Sequence, residues 1–215
     1  MWWRGLAVVL MLAGTYGAFA SLEASHPDGM LAPYVPQQYE LSEPVKPFKH
    51  AGFQVTPVAR FDIQARVLGR EIYRNDSVAQ LSPVDLALGW GPMSDSNVLK
   101  DIRTSQGNRF FYWSTDRFPV PREVIETSST NTHLIPATPE IEAQLKSVEV
   151  GDVVHFRGML VNAYRASDRR SWKTSLRRDD TGDGACEIVY VTAVEVRGGQ
   201  HSAPEVDTLA TLNPR

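Results

Sequence analysis

Cysteine is nearly absent. Cys186 is the single one in 215 residues, so no disulfide can form within one molecule and a cross-linked miniature scaffold is excluded. A basic excess is missing too. The 22 Lys and Arg face 25 Asp and Glu, a formal net charge of −3, which argues against a general polyanion binder and leaves nucleic acid out as a partner. No motif reaches the specificity of a metal or nucleophile signature, so no cofactor is expected. What is present suffices for a core. The chain is 42% hydrophobic, with 14 Pro and 15 Gly. A domain of about 145 residues buries about two-thirds of its unfolded surface and folds without disulfide or metal.

Met1 to Ala20 reads MWWRGLAVVLMLAGTYGAFA. Arg4 precedes an apolar run that ends in Ala18-Phe19-Ala20, a small-x-small pattern suited to signal peptidase. An uncleaved membrane anchor is the second reading, since a span from Trp2 approaches the ~20 residues a bilayer requires. Both readings export the rest of the chain, to the periplasm or to the outer side of the inner membrane. Residues 21–50 carry Pro27, Pro33, Pro36, Pro44 and Pro47. That proline density forbids a continuous helix and predicts an extended tether, on which Tyr34, Val35 and Tyr39 could still dock.

Residues 51–197 are expected to form one domain. Phe61, Ile63, Ala65 and Val67 alternate with Arg60, Asp62, Gln64 and Arg66, the period of a half-buried strand. Ser82-Pro83-Val84-Asp85 predicts a helix start of the capping-box type. Trp90, between two glycines, reads as a core ring or a ligand platform. Asp95 suits the cap of a short helix over Val98, Leu99 and Ile102. Arg109 to Trp113 predicts a strand buried on both faces. Ser128 to Ala137, with five small polar residues before His133, reads as a supplier of hydrogen bonds to a site or as an irregular loop whose side chains satisfy its own backbone. Thr138-Pro139 opens a helix with Glu140 and Glu142 in its first turn. From Gly151 to Val196, three β-prone runs form an antiparallel meander, with His155 and Arg157 on a mixed face that suits a binding rim. The last run looks central. Residues 198–215 are expected to be a disordered tail.

These elements predict an α+β domain, mostly antiparallel, with short helices on one side; an OB-like small barrel is the nearest named architecture.

Three clusters could carry chemistry. Cys186 with His133 is the minimum for a thiol nucleophile and its base. The motif GDGACE resembles the Gly-x-Cys context of L,D-transpeptidases, but Glu187 and Leu134 depart from that pattern, and a carboxylate beside the sulfur would raise its pKa. Asp179, Thr181 and Asp183 match the front half of a calcium loop, although Tyr190 stands where its bidentate Glu belongs, and a tight turn uses the same residues. Arg165, Arg169, Arg170, Lys173, Arg177 and Arg178 form a basic group diluted by Asp168, Asp179 and Asp180.

DLALGWGPMSD, THLIPA, VVHFRGMLV and DDTGDGACE together resemble segments of a family of bacterial exported proteins with an N-terminal leader and no assigned activity. The resemblance covers most of Phe53 to Val196. It implies export and a single domain and carries over no functional residue. The sequence thus favours a non-catalytic envelope module that binds another envelope protein or a wall component. The alternative is a thiol-dependent hydrolase or transferase acting on a wall component through Cys186 and His133.

Overall fold

The structure is a computed structural model that describes residues 26, 28–177, 179, 182 and 184–198. The leader and the expected tail beyond Gly198 lie outside the described residues. Among the described residues no helix is long and apolar enough to cross a membrane.

The expected alternation around Arg60 extends into a 20-residue strand, β3 (Phe53–Ile72). Its length lets it serve two neighbours. Gln54 to Arg66 pairs with β8 (Val153–Arg165), and Arg66 to Ile72 pairs with β4 (Val84–Gly89). β4 pairs with β7 (Ser129–Pro136), β7 runs parallel to β10 (Glu187–Arg197), and β10 returns antiparallel to β8. The circuit β3–β4–β7–β10–β8 therefore closes into a five-stranded barrel with one parallel pair, the OB-like connectivity expected. Closure leaves these five strands without an open edge.

Period-two alternation decides what fills the barrel. Phe61, Ile63, Leu86, Leu88, Leu134, Phe156, Leu160 and Val189 form one interior cluster. Each such side chain, fully buried, contributes about 1.5–3 kcal/mol. The helix between β7 and β8, here α3 (Pro139–Ser147), adds Ile141 and Leu145 to that cluster. Thr138 caps it by accepting from the Ile141 N–H at 3.3 Å. The short helix α1 (Ser96–Leu99) is capped by Asp95 as the sequence implied. A third helix, α2 (Arg122–Thr127), buries Ile125.

Four local expectations give way to tertiary packing. Ser82 to Asp85 does not begin a helix: Val84, Leu86 and Leu88 point into the barrel, so period two prevails over the capping-box pattern. Ser128 to Ala137 is mostly a strand, β7. Thr130 and Thr132 are β-branched and fit a pleated surface despite their polarity. The aromatic run forms β6 (Phe110–Ser114), paired with β5 (Arg103–Gly107) in a separate hairpin. It is not buried on both faces, for Tyr112 is 53% exposed. The proline-rich stretch is bound to the domain rather than strung out from it. β1 (Gln37–Glu40) and β2 (Phe48–His50) both pair with β3; Pro33 and Pro36 precede β1, and Pro44 and Pro47 fall between the two strands. Ala32 is fully buried, and its carbonyl accepts from Gly91 N–H at 2.8 Å. Tyr34, Val35 and Tyr39 stay exposed.

Gly158 marks the closest approach inside the barrel wall. A Cβ there would lie 2.0 Å from the Tyr190 carbonyl oxygen, beside the irregularity in β10 between Val191 and Ala193. Gly158→Ala is therefore expected to lower stability by about 1–3 kcal/mol. Gly107→Ala, where a Cβ meets nothing within 4 Å, should change it by less than about 0.5 kcal/mol. Urea unfolding of the two variants checks the contrast.

Candidate functional site

The outer face of β4 and β7 carries a buried polar pair. Asp85 on β4 is the direct cross-strand neighbour of His133 on β7, and His133 is the parallel neighbour of Ile188 on β10. Cys186, the residue just before β10, lines one cavity with His133. Glu187 falls on the opposite side, with Val189 and Val191, and there accepts a short hydrogen bond from the Thr130 hydroxyl. The carboxylate expected to oppose thiol ionisation is thus turned away from the sulfur's face.

Asp85 is fully buried and is held from two directions. One oxygen lies 2.9 Å from His133 Nδ1, and a carboxylate can only accept, so Nδ1 donates. The other accepts from Arg109 Nη1 at 2.8 Å. Arg109 also donates to Asp76 through Nε at 3.0 Å and Nη2 at 2.8 Å, and to the Ser82 carbonyl at 2.9 Å. Its guanidinium stands 3.6 Å over the Tyr73 ring, a cation–π contact. Burial pushes the Tyr73 phenol above its ordinary pKa, opposed by the Arg109 backbone N–H that it accepts.

Arg109 reaches this position through a two-residue turn. Asn108 and Arg109 have φ of 53° and 71°, the pattern of a type I′ hairpin between β5 and β6. A left-handed arginine costs about 1–2 kcal/mol. Its ion pairs with Asp76 and Asp85 offset that strain.

Trp172, on the short strand β9 (Arg170–Trp172), packs its ring 4.5 Å from the His133 ring. Arg109, His133, Trp172, Lys173 and Cys186 line a cavity of about 460 Å³. A second cavity, about 560 Å³, runs along the aromatic hairpin past Tyr112, Trp113 and Phe118. Phe110 and Cys186 line both, so the two adjoin. Cys186 is partly exposed rather than sealed in the core. Among the described residues no hydrogen bond joins its sulfur to the His133 ring, which lines this cavity and is bonded to Asp85 through Nδ1.

The other candidates lie elsewhere. Trp90 is 2% exposed within the barrel core, so it is a packing residue and not a ligand platform. His155 bonds Asp62 at 2.8 Å on β8, and Arg157 stands 4.0 Å from Glu195. Arg157 lines a separate cavity with Tyr39 and Arg60. Asp179 pairs with Arg177 at 2.9 and 2.8 Å, and that guanidinium holds its carboxyl below the ordinary range. Thr181 and Asp183 lie outside the described residues. Among the described residues no three metal-ligating side chains gather. Part of the basic group is committed: Arg165 is forked onto Asp168 at 3.0 and 2.6 Å, Arg170 lies 3.5 Å from the same carboxylate, and Arg177 pairs with Asp179.

Sequence reasoning named Cys186 and His133 but missed Asp85, Arg109 and Trp172 as their neighbours. The usable signal was the alternation of Val84, Leu86 and Leu88, which puts Asp85 on an outer face.

Removing the buried carboxylate leaves Arg109 and His133 without their shared acceptor. Asp85→Ala is expected to cost about 3–5 kcal/mol. Asp76→Ala, at a side chain 35% exposed, should cost about 1 kcal/mol or less. Urea midpoints of the two variants check the ordering. No protein-family model, no curated protein and no solved structure matches the chain.

Proposed function

We propose that the chain is a binding module of the bacterial cell envelope that takes a cell-wall glycopeptide along the outer face of β4, β7 and β10. One observation carries the reading: two cavities of about 460 and 560 Å³ lie side by side, sharing Phe110 and Cys186, and are walled by aromatic rings and a few polar groups. Such a groove suits an elongated ligand with alternating apolar ring faces and polar edges. Trp172, Trp113 and Tyr112 offer ring faces, while Lys173, Asn131 and Ser171 offer polar atoms. Barrels of this connectivity present oligosaccharides and oligonucleotides on the corresponding face. The net charge of −3 disfavours the oligonucleotide.

The N-terminal leader supports delivery to the compartment where such a ligand resides. The domain then faces the periplasm, released if the leader is cleaved and tethered to the inner membrane if it is kept.

Co-sedimentation of the exported protein with purified, protein-stripped sacculi tests the reading. The protein is expected to pellet with them, and Trp172→Ala is expected to weaken that binding about tenfold or more. Stripped sacculi that leave the protein in the supernatant, while a protein component of the envelope pulls it down, would assign the groove to a protein partner and overturn this reading.

A further inference from the structure

We propose that Cys186 is a nucleophile for an acyl substrate, with His133 as its general base and Asp85 as the carboxylate that orients the base. The proposal deepens the assignment of this groove as the ligand site and rests on it for the substrate class, an amide or ester of a wall peptide.

Two adjacent strands place Asp85 on β4 beside His133 on β7, and Cys186, the residue just before β10, lines one cavity with His133. Asp85 is fully buried, and Arg109 occupies its Oδ1 at 2.8 Å, which leaves Oδ2 to fix the imidazole through Nδ1 at 2.9 Å. The His133 side chain is only 3% exposed, and the hydrogen bond its ring makes among the described residues is at Nδ1, not Nε2. Here that nitrogen belongs to a ring lining the cavity that Cys186 also lines. An imidazole fixed at one nitrogen by a carboxylate, and open at the other beside a thiol, is the arrangement that activates a nucleophile. Trp172, packed on the same ring, limits water around it. Glu187, the residue that would oppose thiolate formation, faces the barrel side instead.

The step balances without an added oxidant or metal. His133 Nε2 takes the proton from Cys186 Sγ, and the sulfur attacks the substrate carbonyl carbon. The S–C bond forms, the C–N or C–O bond to the leaving group breaks, and His133 returns the proton to the departing amine or alkoxide. Water then attacks the thioester with His133 accepting its proton, the S–C bond breaks, and the carboxylic acid leaves with the thiol restored. Cys186 and His133 are the catalytic residues. Asp85 and, behind it, Arg109 are positioning residues.

The test uses the exported protein with p-nitrophenyl acetate and, separately, iodoacetamide. A burst of p-nitrophenolate stoichiometric with protein is expected, with an acetyl adduct at Cys186 by mass spectrometry. The alkylation rate should inflect at a pH below the ~8.5 of an ordinary thiol. Cys186→Ser should abolish the adduct. His133→Gln should slow acetylation by about 100-fold or more and return the inflection toward the ordinary thiol. Asp85→Asn should move rate and inflection in the same direction. A wild-type thiol that alkylates with the rate and inflection of glutathione would overturn the proposal, whatever the fold of the variants. So would a folded His133→Gln protein with unchanged rate and inflection. Sacculus binding that persists with an ordinary thiol would sink the nucleophile alone and leave the binding reading standing. An activated thiol in a protein that ignores sacculi would do the reverse.

Discussion

A carboxylate with no exposed surface organises the outer face of this barrel. Asp85 cannot be buried as a charge without compensation, because desolvation costs several kcal/mol per ion even after relaxation. Compensation comes from two sides at once, from Arg109 and from His133. Arg109 belongs to the β5–β6 hairpin turn, His133 to a barrel strand, and the Asp76 and Ser82 atoms that complete the guanidinium's bonding belong to the connection between β3 and β4. One buried charge thereby ties three parts of the chain, distant in sequence, to the same spot. The left-handed backbone at Arg109 is tolerated because those ion pairs hold it there.

The barrel makes that spot available. β3 is long enough to pair with β8 along one part and β4 along the other, which closes the circuit around a mainly apolar interior. Asp85 on β4 and His133 on β7 face outward, and it is there that the hairpin turn at Arg109 and Trp172 of β9 cover them. The groove is consequently bounded by a rigid wall on one side and by connecting segments on the other. Binding sites are commonly built this way, on loops positioned by a stable scaffold.

Much of the barrel was legible in the chain. The alternation in β3, the Thr138-Pro139 start of α3, and the centrality of β10 follow from period and turn chemistry, and the antiparallel α+β class follows from them. The misreadings share a cause. Ser82-Pro83-Val84-Asp85 satisfies a helix-start pattern locally, and only burial of Val84, Leu86 and Leu88 against strands far along the chain makes it a strand. Thr130 and Thr132 read as loop because polarity was weighed above β-branching. The prolines before Phe48 read as a tether because proline bars helix, yet it permits short strands between. At the site, Cys186 and His133 were found by residue type alone. Asp85 was not, because its pairing with His133 spans 48 positions and depends on a register that no local pattern encodes. Glu187 was judged by adjacency in sequence, whereas strand alternation turns it away from the thiol's face.

The central claim is that Asp85 holds His133 through Nδ1 and leaves Nε2 toward the groove. Nitrogen-15 NMR of the imidazoles in the folded protein measures this directly, since the two ring nitrogens are distinguished by their couplings to the ring protons. The account predicts that His133 carries a slowly exchanging proton on Nδ1, protected by the buried carboxylate. A neutral His133 with its proton on Nε2, or an Nδ1 proton that exchanges as fast as that of an exposed histidine, would contradict it.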